Sequence, residues 1–155
     1  MSKASILLLV HAVVAAALLG AITHQTLAAW ARASSRPNIF FGRFRTVPSA
    51  RFASAVVVLY VVCATLGAVV YLDFRVDIRP RLEQGYWPMV GIFDIKEHFV
   101  SIGLGLLPAY WLYWRQASAA DSSRSRVALT TIIAIIVWWS FLVGHIVNDV
   151  VGFGS

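Results

Sequence analysis

Charge is what this sequence has least of. Only 13% of its 155 residues are charged and just seven are acidic, against roughly 25% charged in a soluble domain. The hydrophobic share is 59% and the mean hydropathy is +0.76. One water-soluble core of this size cannot bury that much apolar surface, which excludes a soluble enzyme. Cysteine is nearly absent as well. Cys63 stands alone, which excludes a disulfide framework, a cysteine-cluster metal site and a covalent c-type haem motif. No nucleotide-binding loop or soluble catalytic motif is present either, which makes a redox protein or an oxidoreductase subunit a better expectation than a stand-alone enzyme. The net charge of +6 would suit nucleic acid, but membrane topology explains it more simply, so no nucleic-acid partner is expected.

What the chain does have is length of apolar sequence. A hydrocarbon core of about 30 Å needs about 20 apolar residues per helix. Four segments reach that, at about 5–31, 52–72, 88–114 and 127–151. The third is broken up by Asp94, Lys96, Glu97 and His98. The first follows Lys3 like a signal peptide, but its apolar run exceeds the 7–15 residues of such a segment, so a retained helix is expected. The expected fold is a single all-α domain over 1–155, an integral membrane four-helix bundle in contact with the lipid bilayer.

Its direction follows from the basic residues. Arg32, Arg36, Arg43, Arg45 and Arg51 surround the first connection without an acid, and Arg115, Arg124 and Arg126 lie around the third. The other side mixes Lys3, Arg75, Arg79, Arg81 and Lys96 with six acids. Positive charge marks the inner side. Both termini and a 73–87 loop are therefore expected outside, in the periplasm if the membrane is a bacterial inner (cytoplasmic) one. The 34–51 loop alternates Ile39, Phe40, Phe41 and Phe44 with Arg43 and Arg45, a pattern that suits a topology determinant resting on the inner surface. The 116–126 stretch, rich in Ser and Ala, reads as a flexible connection.

Ionisable groups inside spans are costly and mark functional sites by default. At a rise of about 1.5 Å per residue, His11, His98 and His145 come to one level in the outer half of three helices, whereas His24 sits alone in the inner half. Asp94, Glu97, His98 and Ser101 follow a helical stripe, and His145 and Asp149 are four apart. Carboxylates beside imidazoles fix the histidine tautomer and raise its basicity. Lys96 is expected off this stripe, extending outward or paired with an acid. Two kinds of cofactor suit such a set. Bis-histidine ligation of haem needs two imidazoles from different helices, with small neighbours admitting the macrocycle. An Fe, Cu or Zn ion would instead take three or four ligands from His11, His98, His145, Glu97, Asp94 and Asp149. A third reading has these groups merely hydrogen-bonding helices together. Gly20, Gly67, Gly103 and Gly105 read as close-packing positions, and Cys63 as a small hydrophobe.

Three short patterns, Leu9-Val10-His11, Arg51 at the start of the second span, and Phe93-Asp94-Ile95-Lys96 opening the third, carry a likeness. On them the chain resembles the four-helix haem-binding membrane proteins that include the HemJ-type protoporphyrinogen oxidases, and more loosely the CopD-type copper-resistance proteins. The resemblance implies His11 as a haem ligand, with Arg51 and Lys96 as partners of the porphyrin or its propionates. Glu97-His98 and Gly144-His145-x-x-x-Asp149 fall outside that pattern, so the shared element is haem b binding rather than the oxidase reaction. The leading expectation is a cytochrome b-like protein carrying haem b in its outer half. It would pass electrons to a quinone or periplasmic redox partner, or work beside other membrane subunits. A non-haem metal protein and a cofactor-free accessory subunit are the alternatives.

Overall fold

A computed structural model describes residues 3–33, 49–115 and 120–151, and everything described is helical apart from the single residue Tyr86. Helix α1 is Lys3–Ala33 and α2 is Ser49–Asp73. A π-helical turn, Phe74–Ile78, continues α2 into the short α3, Arg79–Gly85. Helix α4 runs Trp87–Arg115 and α5 runs Ala120–Val151. Most of the 34–51 loop, with its expected surface-lying role, lies outside the described residues, as does the side chain of Arg51.

Three stretches are long and apolar enough to cross a membrane: Lys3–Ala31, Phe52–Gly85 and Arg124–Val150. The fourth expected span, α4, has the length at 29 residues but not the composition. Asp94, Lys96, Glu97 and His98 dilute its first half.

Two boundaries differ from the sequence expectation. The second span does not end near 72 in an outer loop, because the helix carries on to Gly85. Phe74, Ile78 and Leu82, spaced by four, are buried with Val90, Phe93, Val143 and Val147 in one apolar cluster. Burial along that stripe outweighs the charges that suggested a loop. Pro80 within this stretch has no N–H to give back, and its ring crowds the carbonyl of the preceding turn. The wider π turn directly before it relieves that crowding. The second difference is that α5 begins at Ala120, which shortens the expected flexible connection.

Each of the four long helices packs on two others: α1 on α2 and α5, and α4 on α2 and α5. Their two ends are built differently. The half holding the end of α1 and the start of α2 is filled, with Ile22, Ala53, Val56, Tyr110 and Ile133 fully or almost fully buried. Small residues bring the backbones together there, and indoles stitch them. Trp30 donates to Thr131 Oγ1 at 3.1 Å, Trp114 to Thr130 Oγ1 at 3.1 Å, and Trp138 to Thr23 Oγ1 at 3.0 Å. Thr23 and Thr130 return their own hydroxyl protons to carbonyls four residues back, Leu19 O at 2.7 Å and Arg126 O at 2.6 Å. Interhelical bonds of this kind contribute about 0.6 kcal/mol each in a membrane.

Candidate functional site

The other half is hollow. The start of α1, the end of α2, the start of α4 and the end of α5 surround a cavity of about 550 Å³. Its existence follows from side-chain size. Ala12, Ala15, Ala16, Ala64, Gly67 and Gly144 line it, where larger residues would close the helices together. Phe74 and Phe93 stack at 4.0 Å with 15° between their planes and form one wall, with Tyr71 against Phe93 at 6.2 Å.

His11 reaches this space from α1. Its ring lies against α2, with Nδ1 4.0 Å from Cys63 Sγ. Gly67 makes that approach possible, since a Cβ there would stand 3.2 Å from His11 Cε1. From α4 come Lys96 and Glu97, with Nζ donating to Oε1 at 2.7 Å and also sitting 4.2 Å over the Phe93 ring. From α5 comes His145, stacked near Phe141 and 3.6 Å from Asp149 Oδ2. His11, Lys96, Glu97 and His145 thus share one cavity.

Other expected residues are placed elsewhere. His98 is exposed and outside the cavity lining, its Nδ1 2.6 Å from the carbonyl of Asp94 one turn back. The Asp94 carboxylate is held by Arg79, whose Nη1 and Nη2 lie 3.1 and 3.3 Å from its two oxygens. Asp149 borders His145 but does not line the cavity. His24 stacks on Phe52 at 4.7 Å, in the filled half. The turn of α4 explains the split. Phe93, Lys96, Glu97 and Val100 share the cavity-facing stripe, so Lys96 faces inward rather than off the site, although it does pair with an acid. Among the described residues no group of three or more His, Cys, Asp or Glu is placed to hold a metal ion.

Several cavity residues escaped the sequence reading. Cys63 is one. Ser140 and Asn148 are two more, and with Gly144 they form an i, i+4, i+8 line of small or polar residues along α5, the signal that could have revealed them. Ser140 Oγ and Asn148 Oδ1 are buried without a hydrogen-bond partner among the described residues. Of the four glycines expected to pack closely, Gly67 and Gly103 do. A Cβ on Gly103 would collide with the Tyr60 hydroxyl, which donates to Val100 O at 3.1 Å. Gly20 has open space around it instead, and so does Gly105. Comparison with protein-family models, curated proteins and solved structures finds no match to this chain.

Proposed function

We propose that the chain is a four-helix integral membrane protein that binds haem b in its hollow half and passes electrons to a membrane or periplasmic partner. In this reading α4 is the fourth span, both termini lie on the outer side, and the arginine-rich connections face the cytoplasm of a bacterial cell. One observation carries it: the imidazoles of His11 and His145, on two different helices, line one largely apolar cavity.

The residues present fit the group. Haem needs one or two imidazoles, small residues around the macrocycle, and a cation for a propionate. His11 and His145 would hold the group through their imidazole nitrogens, the alanines and glycines of the wall would admit the ring, and Lys96 would meet a propionate. Asp149, 3.6 Å from His145 Nε2, is the carboxylate available to orient that imidazole. When bound, the group supplies one-electron transfer. The apolar walls and the Phe74–Phe93 stack would exclude water and, with the two imidazoles, would set its potential. A bare metal ion has less support, because it needs three or four ligands drawn together. A quinone, a periplasmic protein or neighbouring membrane subunits would act as redox partners.

An absorbance spectrum of the purified protein tests this. A Soret band with α and β bands on reduction is expected. His11→Ala and His145→Ala are each expected to abolish or shift it, while His98→Ala, outside the cavity, leaves it unchanged. Absence of the band with stoichiometric iron, copper or zinc would favour the metal alternative. Absence of both would favour the accessory subunit.

A further inference from the structure

The cavity wall is not equally closed on its four sides. Between α1 and α2, His11 lies on Cys63 and Gly67. Between α2 and α4, Tyr60 bonds Val100 and Phe74 stacks on Phe93. Between α4 and α5, Val90 and Phe93 pack with Val143 and Val147, and Phe99 meets Trp139 edge-on at 6.5 Å. The side between α1 and α5 is different. Leu9, Ala12, Ala16 and His145 both line the cavity and are exposed, and every exposed lining residue belongs to one of these two helices. Leu9 to Ala16 span about 10 Å along α1 at the helical rise. The Trp138–Thr23 bond closes the α1–α5 seam deeper in the protein.

We propose that this slot is a lateral portal through which the cavity exchanges a lipid-phase amphiphile with the bilayer. The rim of the slot on α1 is Leu and Ala, at a level where the chain runs through its most apolar sequence. An unhindered apolar opening facing acyl chains admits molecules dissolved in the membrane and disfavours ions from water. The interior defines the other end of the ligand. Ser140 Oγ and Asn148 Oδ1 lack partners among the described residues, and Lys96 carries N–H groups beyond the one given to Glu97. An orphaned buried polar atom costs about 1–3 kcal/mol until something bonds it. The ligand class is therefore an apolar body carrying hydrogen-bond acceptors for the Lys96 ammonium and the Ser140 hydroxyl. This holds for haem b and equally for another amphiphile, so it does not depend on the haem reading.

Cys63 is the chain's sole cysteine and lines the cavity, which makes it an internal reporter. The full-length protein in lipid vesicles is treated with N-phenylmaleimide, which partitions into the bilayer, or with a membrane-impermeant sulfonated maleimide, and Cys63 labelling is followed by mass spectrometry. The apolar reagent is expected to label Cys63 and the sulfonated one not. Ala12→Trp with Ala16→Trp, which places two indoles across the slot, is expected to slow apolar labelling at least tenfold. Val13→Trp, at an exposed position of α1 that does not line the cavity, leaves the rate unchanged and reports any general disturbance of the helix. Comparable labelling by the sulfonated reagent would overturn the proposal by showing a route from water. No labelling by either reagent, or an unchanged rate in the double variant, would overturn it as well.

Discussion

Gly144→Leu separates a structural hollow from a working one, because stability and ligand binding should move in opposite directions. A Cβ at Gly144 meets nothing within 4 Å, and the residue lines the cavity towards the end of α5. Two gains add in the ligand-free protein. Replacing glycine inside a helix by a good helix former contributes about 0.8–1 kcal/mol. Filling a cavity returns about 24 cal/mol per Å³ by reversal of the large-to-small penalty, so every 50 Å³ occupied contributes about 1.2 kcal/mol. A stabilisation of about 2 kcal/mol is expected for about 50 Å³ filled, measured as a shift of the denaturation midpoint in detergent. The same side chain takes up room that a macrocycle or other amphiphile needs, so pigment or ligand per mole of protein should fall at least fivefold. A variant that is less stable than its parent when both are ligand-free would refute the reasoning, since it would mean that the space is already filled. A stabilised variant with undiminished ligand would leave the hollow standing and remove its role in binding.

Other substitutions test the packing that frames the site. Gly103→Ala drives a methyl group into the Tyr60 hydroxyl and should cost about 1–3 kcal/mol by overpacking, with part of the loss recovered in the Tyr60→Phe background, as read from thermal unfolding. Trp138→Phe removes the bond to Thr23 across α1 and α5 and should cost about 0.6 kcal/mol, no more than about 1.7, in the same assay. Arg79→Gln breaks the contacts with Glu83 and Asp94 that tie α3 to α4. These partners are partly exposed, so the global cost should be about 1 kcal/mol or less and should shrink with salt, while proteolysis near Gly85 becomes faster. A reporter enzyme that folds only outside the cytoplasm, fused after Ser155, should be active, and activity of a cytoplasm-only reporter there would reverse the proposed orientation.

The helices were legible because their signal is redundant. At least 17 apolar residues agree on each long segment, and no single error changes the outcome. The site was legible at the level of depth. His11, Glu97 and His145 do converge, since depth depends only on counting along a helix at a fixed rise. Direction around the helix was harder to read. Residues 94, 97, 98 and 101 make as regular a stripe as 93, 96, 97 and 100, and only packing decides which one turns inward. Phe93 decided it by stacking on Phe74, a partner contributed by a stretch that read as a loop. That rotation carries Lys96 inward and leaves His98 outside. Cys63 and Asn148 were hidden for another reason, because a thiol or an amide acquires a role only from what the fold sets beside it.

The placement of polar contacts argues against these groups serving only to hold helices together. In the filled half, indole–threonine bonds cross from one helix to another, joining α1 to α5 twice and α4 to α5 once. Around the cavity the charged contacts stay within single helices. Lys96 pairs with Glu97 beside it on α4, and His145 with Asp149 one turn away on α5. Such pairs bring no two helices closer, yet the Lys96 ammonium, its side chain only 15% exposed, is set in costly surroundings. Among the described residues, the ion pair that does join elements, Arg79 with Asp94, links α3 to α4 and lies outside the cavity lining. Small residues at Ala12, Ala15 and Gly144 hold no packing advantage around an empty space either, since each forgoes contacts that a larger side chain would make. A chain selected for cohesion alone would close the gap. This one keeps the imidazoles, the ammonium and the carboxylate facing a hollow with an opening toward lipid, an arrangement that a bound amphiphile explains and helix packing does not.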